Sequence, residues 1–200
     1  LEDSLPFVYR NDAGKMVGLE ADLAHLLASQ LGVELKFVRV ENRNIGRQLA
    51  SGRIDVMMSG LLVTPERALE LKFSTPHMNS TLSLVVRDHD RRRFDTNEKL
   101  RSAEVENFRL AAVNLPYYSA FVKRNLPSVE IVTLDSAREF FQAEPDTYDA
   151  LLFSAEAGSA WTLVYPEYTV VVPKPRTITA PIALGLPRDA PLLYDFVETW

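Results

Sequence analysis

The 200-residue chain contains no cysteine and only three histidines. The absence of cysteine excludes disulfide bonds, thiol catalysis and cysteine-ligated metal. The histidines His25, His77 and His89 are too scattered along the sequence to predict a metal cluster. No apolar run approaches the roughly 20 residues that a membrane-spanning helix needs. We therefore expect a soluble chain that carries no metal and no cofactor.

The chain also lacks an excess of positive charge. It has 22 basic and 27 acidic residues, for a net charge of -5, whereas a general nucleic-acid binder shows a basic excess on one face. The single basic run, residues 91–93, follows Asp88 and Asp90 and is typical of a solvated connection. The content of 46% hydrophobic residues suffices for one large domain or two small lobes.

Helix and strand patterns alternate in the first half of the chain, which favours parallel strands with covering helices. Residues 20–31 predict a helix that Gly32 ends, and its recurring leucines are assigned to the core. Strands are predicted at 33–40, 54–58 and 82–86, and a short helix at 45–51. Thr64 is a good N-cap and Pro65 suits a first helical position, so another helix begins there.

A second series of elements follows a polar connection at 87–106. Strands are predicted at 110–113, 129–134 and 150–153, and helices at 117–124 and 137–143. Residues 170–172 predict an extended crossing, 182–186 a final strand and 192–200 a final helix. We interpret this as an α/β chain of two lobes: residues 1–87 with 179–200 returning to them, and residues 88–178. A cleft between two lobes is a natural ligand site.

Three stretches together resemble the family 3 extracellular solute-binding proteins, bacterial periplasmic receptors for amino acids and related solutes. They are "LPFVYRNDAGKMVGLEADLAHLLASQLGV", "SGRIDVMMSGLLVTPERALELKFSTP" and "YDALLFSAEAGSAW". The resemblance spans nearly the whole chain and implies a two-lobed type II periplasmic-binding fold. Each lobe would hold a mainly parallel sheet with flanking helices, and two crossings would act as the hinge.

The resemblance assigns Arg67 to the ligand's carboxylate. Guanidinium offers a planar fork of donors to a carboxylate, and N–H groups near a helix start add positive potential. An alternative is that Arg67 pairs with Glu66 or Glu70 on its own helix surface.

Further ligand positions follow from the same resemblance, and several depart from the family pattern. Leu62 stands where a hydroxyl residue is common, so only its N–H would serve there. Ser154 stands where an acid usually holds an α-ammonium group, and Glu156 either replaces that acid or helps to start the following helix. The ligand-binding positions implied in the two lobes are Ser4, Phe7, Asn42, Arg43, Gly60, Leu62, Arg67, Asn114, Tyr117, Tyr118, Ser154 and Glu156. We expect at least one of the paired tyrosines to pack into its lobe.

The predicted function is capture of a small carboxylate-bearing solute, an amino acid or a dicarboxylate, and its presentation to a membrane transporter by hinge closure. The expected location is periplasmic or extracytoplasmic, with a signal peptide removed or a tether to the membrane. The run "SAEAGSAWTLVYPEYTVVVPKP" is similar to solute-binding-like domains fused to bacterial cation-coupled dicarboxylate or amino-acid symporters. A sensor domain of a membrane receptor is a further setting.

Some lyases share this fold and its T-P-E-R pattern, including periplasmic dehydratases that act on prephenate-like acids. Such chemistry needs a general acid or base, and the candidates are Glu20, Asp22, His77 and Glu156. His77 is more typical of a packed residue. Because no G-x-S-x-G, P-loop or dinucleotide fingerprint is present, we expect a binding protein and no enzyme.

Arg43→Ala tests whether the solute carries two anionic groups. If Arg43 supplies a second positive charge, this change weakens the binding of dicarboxylates and leaves monocarboxylates unaffected, as titration calorimetry would show. Equal losses for both classes would contradict the assignment and leave Arg43 a general or structural role.

Overall fold

The computed structural model describes residues 4–40, 44–102, 108–113, 118, 122, 126, 129–175 and 177–200. The chain divides into two compact units, Leu1–Asn79 with Ala180–Trp200 and Ser80–Thr179. The first division falls eight residues before the boundary drawn from the sequence at 87. The reason is that residues 82–86 pair along their length with a strand of the second unit.

Helices and strands are interspersed along the described residues of both units. The α-helices are α1 (Leu19–Leu31), α2 (Ile45–Ala50), α3 (Pro65–Glu70), α4 (Asn97–Leu100), α5 (Ala137–Gln142), α6 (Ala155–Thr162) and α7 (Pro191–Thr199). The strands are β1 (Tyr9–Arg10), β2 (Met16–Val17), β3 (Lys72–Phe73), β4 (Met78–Arg87), β5 (Arg109–Val113), β6 (Glu130–Leu134), β7 (Ala150–Ser154), β8 (Tyr168–Val171), β9 (Thr179–Ile182) and β10 (Gly185–Leu186). A 3-10 helix occupies Asp88–Arg93.

Helix α1 buries alanines where the sequence predicted leucines. Its buried positions include Ala21, Ala24, Leu27 and Ala28, whereas Leu19 is 48% and Leu26 50% exposed. The prediction that the leucines of this helix form the core was therefore wrong for Leu19, Leu26 and Leu31, which are exposed. The alanines recur at helical spacing and form the inward stripe, and most of the leucines flank that stripe.

Two segments of the first unit that were predicted to be strands do not form regular strands in the structure. Residues 33–40 carry no strand assignment, and residues 54–58 contribute only an isolated bridge between Met57 and Gly185. In the described residues of this unit, β1 pairs with β2 and β3 with β10, both antiparallel. A strand needs a neighbour along its whole length, and alternating side chains alone do not supply one.

The second unit is organised by a sheet whose described strands run in the order β6-β5-β7-β4-β8, with β9 also pairing with β4. Strand β5 is parallel to β6 and β7, whereas β4 is antiparallel to β7 and β8. The predicted strands at 82–86, 110–113, 129–134 and 150–153 are confirmed to within a few residues. The predicted helix at 117–124 lies mostly outside the described residues.

The last helix is tied to the segment that follows β3. The Glu198 carboxylate accepts hydrogen bonds from the Thr75 N–H at 2.7 Å and from the Thr75 hydroxyl at 2.7 Å. These two bonds lower the pKa of Glu198, and nearby Lys72 adds to the effect. Because this carboxylate is exposed, we expect the tie to contribute below about 1 kcal/mol.

Glu198→Gln should lower the free energy of unfolding at neutral pH by less than about 1 kcal/mol. A carboxyl whose pKa is lowered by folding stabilises the protein above its unfolded pKa, and this contribution is lost as the pH falls through the folded pKa. The deficit of the variant should therefore disappear at acidic pH in urea melts. Glu34→Gln is the control, because Glu34 is exposed and has no hydrogen bond within the described residues. A deficit that persists in acid would contradict the charge-based explanation.

Candidate functional site

Arg67 folds back over the segment that precedes its own helix. The Thr64 hydroxyl oxygen caps α3 by accepting a hydrogen bond from the Arg67 N–H at 3.3 Å, and Pro65 occupies the first turn, as predicted. The Arg67 Nη1 donates to the Leu62 carbonyl at 3.0 Å. The cap and this bond together place the guanidinium beside residue 62.

The pairing of Leu62 determines which way its main chain points. Leu62 forms an antiparallel bridge with Ile182, flanked by bonds from Val63 N–H to the Pro181 carbonyl at 2.9 Å and from Ala183 N–H to the Leu61 carbonyl at 3.1 Å. In such a pair the N–H and C=O of Leu62 both point away from Ile182. Its C=O holds Arg67, and its N–H has no partner among the described residues. The N–H of Leu62 and the guanidinium of Arg67 therefore lie on the same edge of residues 61–63, the edge that points away from Ile182.

No acid neutralises Arg67 within the described residues. Neither Glu66 nor Glu70 forms an ion pair with it, so the surface pairing considered from the sequence is not formed. Burial lowers the pKa of Arg67, and the Glu66 charge opposes this shift. An arginine side chain nevertheless stays protonated in proteins. A half-buried cation beside an unpaired N–H is suited to an anion.

Gly60 is held between a buried ring and a buried carboxylate. Its φ of 71° lies in the left-handed region, and an added Cβ would lie 2.4 Å from the Phe7 ring. Its N–H donates to Glu20 Oε2 at 2.7 Å, so this N–H is already used. Phe7 is buried and packs on Gly60, while the Ser4 carbonyl accepts from the N–H groups of Phe7 and Val8. These contacts fix the conformation of the loop around Gly60.

In the second unit, the candidate ligand residues Ser154 and Glu156 form hydrogen bonds within that unit. The buried Ser154 hydroxyl oxygen caps α6 by accepting from the Ala157 N–H at 3.2 Å. The Glu156 carboxylate accepts from the Thr81 N–H at 3.0 Å and from the Ser80 hydroxyl at 3.3 Å. Glu156 therefore ties α6 to β4.

Among the remaining candidates, Tyr118 is buried in the core of the second unit, which confirms that at least one of the paired tyrosines packs inward. Four predicted ligand positions lie outside the described residues: Asn42, Arg43, Asn114 and Tyr117.

The contact between Glu20 and His77 was not predicted. Glu20 is 0% exposed, and its Oε1 lies 3.0 Å from His77 Nε2. The sequence considered both residues separately as acid–base candidates. Sequence patterns contain no signal for this contact, because tertiary packing decides which face of α1 is buried. Once Glu20 is buried a partner is expected, since acids are almost never fully buried unless they are paired.

The chain belongs to the bacterial extracellular solute-binding proteins, family 3, whose profile matches residues 1–199. The L-cystine-binding protein TcyJ of Escherichia coli strain K12 is 29% identical over 131 residues, 65% of this chain and 47% of that protein. A crystal structure of an ancestral amino acid-binding protein, a precursor of cyclohexadienyl dehydratase, is 26% identical with a TM-score of 0.85, covering 100% of this chain and 84% of that one. The mixed α/β fold of type II periplasmic binding proteins is thereby confirmed.

The prediction that the chain is not an enzyme was wrong. Cyclohexadienyl dehydratase of Pseudomonas aeruginosa is 29% identical over 200 residues, 99% of this chain and 73% of the dehydratase. An enzyme therefore matches nearly the whole chain, and enzyme activity is open to it. Absent motifs of other enzyme classes did not bear on this, because function resides in the site and the same fold hosts both binding and catalysis.

The described residues contain no group of three or more His, Asp or Glu side chains placed to hold a metal ion. In the same part of the chain, no helix is both long enough and apolar enough to cross a membrane.

Gly60→Ala should destabilise the first unit more than Gly14→Ala. Both glycines have positive φ, but an added Cβ meets nothing within 4 Å at Gly14. The left-handed conformation costs alanine about 1 kcal/mol at either site. Overlap with the Phe7 ring should add about 1–3 kcal/mol at Gly60. Urea melts of the two variants measure the difference, and equal losses would show that the ring yields freely.

Proposed function

We propose that this chain is an extracytoplasmic solute-binding domain whose first unit binds a small carboxylate-bearing solute. The observation that carries the proposal is the shared edge of Arg67 and Leu62, where a guanidinium and an unpaired N–H lie together. A carboxylate would accept one bond from each. Charge-assisted bonds of this kind are about twice as strong as neutral ones.

The proposed ligand class is a dicarboxylate or an acidic amino acid. An α-ammonium group needs a carboxylate partner, because an unpaired buried charge is costly. In the second unit, Ser154 stands at the position of the usual acid and caps its own helix. Glu156 already accepts hydrogen bonds from Thr81 and Ser80. These bonds argue against a dedicated ammonium site at either residue, so they favour a dicarboxylate over an acidic amino acid, whose α-ammonium group would need another partner.

We further propose that the bound solute shifts a conformational equilibrium that a membrane transporter reads. Membership of an extracellular solute-binding family supports this role and a periplasmic or extracytoplasmic location. The transporter can be a separate protein or part of the same parent chain.

A lyase acting on a cyclic, prephenate-like acid is the second candidate. It is favoured by the dehydratase that matches 99% of this chain. Such an enzyme would use the same carboxylate-binding edge, and it would need a proton donor or acceptor within reach of the substrate.

A thermal-shift panel separates the two candidates. It should contain neutral and acidic amino acids, dicarboxylates, other small organic acids and prephenate. A ligand at 100 times its dissociation constant stabilises the folded state by about 2.7 kcal/mol, which moves a melting curve visibly. Shifts with acidic amino acids or dicarboxylates support solute binding. Conversion of prephenate, followed by its absorbance, would support the lyase, and shifts with neutral amino acids alone would contradict the proposed ligand class.

Arg67→Ala should weaken binding of any carboxylate from this panel by roughly 10- to 150-fold, since about 1.5–3 kcal/mol is lost with one hydrogen bond to a charged group. Arg188→Ala is the matched control, because Arg188 Nη1 donates to the Ala68 and Leu69 carbonyls on the same helix at 2.8 and 2.9 Å. Circular dichroism verifies that both variants fold. Unchanged affinity in Arg67→Ala would remove the proposed site.

A further inference from the structure

A fully buried carboxylate in the first unit is balanced by one histidine. Glu20 Oε2 accepts from the Gly60 N–H at 2.7 Å, and Oε1 lies 3.0 Å from His77 Nε2. The side chain of Glu20 is 0% exposed and that of His77 is 26% exposed. Within the described residues, no lysine or arginine lies within ion-pair distance of Glu20. His77 is therefore the titratable side chain that contacts the buried carboxylate within the described residues.

The charge of this pair depends on a single proton. When an ionised Glu20 faces a protonated His77, the pair has a net charge of zero, and it also does so if Glu20 holds the proton. Loss of that proton leaves a net charge of -1 in a buried place. Among side chains, histidine is the usual proton switch near neutral pH, and the 3.0 Å contact places His77 directly against the buried carboxylate.

The pair is connected by hydrogen bonds to both segments that orient the proposed solute site, those of Leu62 and Ile182. Gly60, which donates to Glu20, lies two residues before Leu62. The main-chain N–H of His77 donates to the Ile182 carbonyl at 3.1 Å, and Ile182 pairs with Leu62. A change of charge at Glu20 and His77 therefore acts on the segment that presents the Leu62 N–H and receives Arg67.

We infer that binding of an anionic solute at Arg67 and Leu62 is coupled to the uptake of a proton by the Glu20–His77 pair. The inference rests on the proposed solute site. An anion is disfavoured near a pair with a charge of -1 and meets no such repulsion near a neutral pair. By reciprocity, the bound anion raises the affinity of the pair for its proton.

Other charged side chains of the first unit lie on α1, α3, β3 and α7. Arg67 on α3 stays protonated. Glu198 on α7 bonds to Thr75, two residues before His77, which lowers its pKa, and Lys72 lies near it. Asp22, the other acid in the first turn of α1, is exposed. The ring of His25, also on α1, lies against Phe37.

The test is an NMR titration of the whole chain with acetate, the smallest carboxylate, as the probe. Acetate remains ionised throughout the titration, from about pH 5.5 to about pH 8.5. Without acetate, the amide signals of Gly60 and Leu62 should shift with pH at the midpoint of the His77 ring. With acetate, that midpoint should rise, and the dissociation constant read from the Leu62 amide should increase roughly three- to tenfold as the proton is lost.

His77→Gln should bind acetate with an affinity that no longer changes with pH over this range, because the variant lacks the histidine that would exchange the proton of the pair. Glu198→Gln should retain the pH dependence and serves as the control. If Leu62 responds equally to acetate at all pH values, proton coupling is overturned and the solute site stands. If acetate moves no signal of Leu62 or Arg67 at any pH, the solute site itself is overturned, and proton coupling with it. Flat Gly60 and Leu62 amides during the His77 titration would also overturn the coupling, and this measurement needs no variant and no ligand.

Discussion

The antiparallel pairing of Leu62 with Ile182 is the constraint on which the candidate site depends. The main-chain groups on one edge of residues 61–63 form hydrogen bonds with residues 181–183. The main-chain groups on the other edge therefore point away from that pairing. Arg67 reaches the carbonyl on that outer edge because Thr64 begins its helix two residues after Leu62. A few short-range bonds thus place a positive charge next to an N–H, and none of the acids in the described part of the chain neutralises it.

Buried groups hold the loop around Gly60 in place. Gly60 takes a left-handed conformation in close contact with the Phe7 ring, and its N–H meets the Glu20 carboxylate. A carboxylate buried without partners would be costly, so its bonds to Gly60 and His77 are needed for the chain to fold in this way. The same bonds bring His77 next to the loop of the proposed solute site. Structural support of this loop and the proposed proton coupling therefore involve one set of residues.

The second unit shows that residues assigned by resemblance can be used for local structure. Ser154 and Glu156 stand close to where related receptors place ligand contacts, yet here they cap α6 and fasten it to β4. Family membership alone does not separate receptors from enzymes, since an amino-acid receptor and a dehydratase both align with this chain. The chemistry of the site must distinguish them.

The sequence alone determined the features that depend on local chemistry. Thr64 and Pro65 marked the start of α3, the apolar runs marked the strands of the second unit, and the T-P-E-R pattern marked Arg67. Only the tertiary structure decided which face of α1 is buried and whether residues 33–40 have a pairing neighbour. It also brought Glu20, Gly60 and His77 together from three distant segments. Capping and hydrophobic period act within a few residues, whereas burial and strand pairing depend on partners that local sequence patterns do not identify.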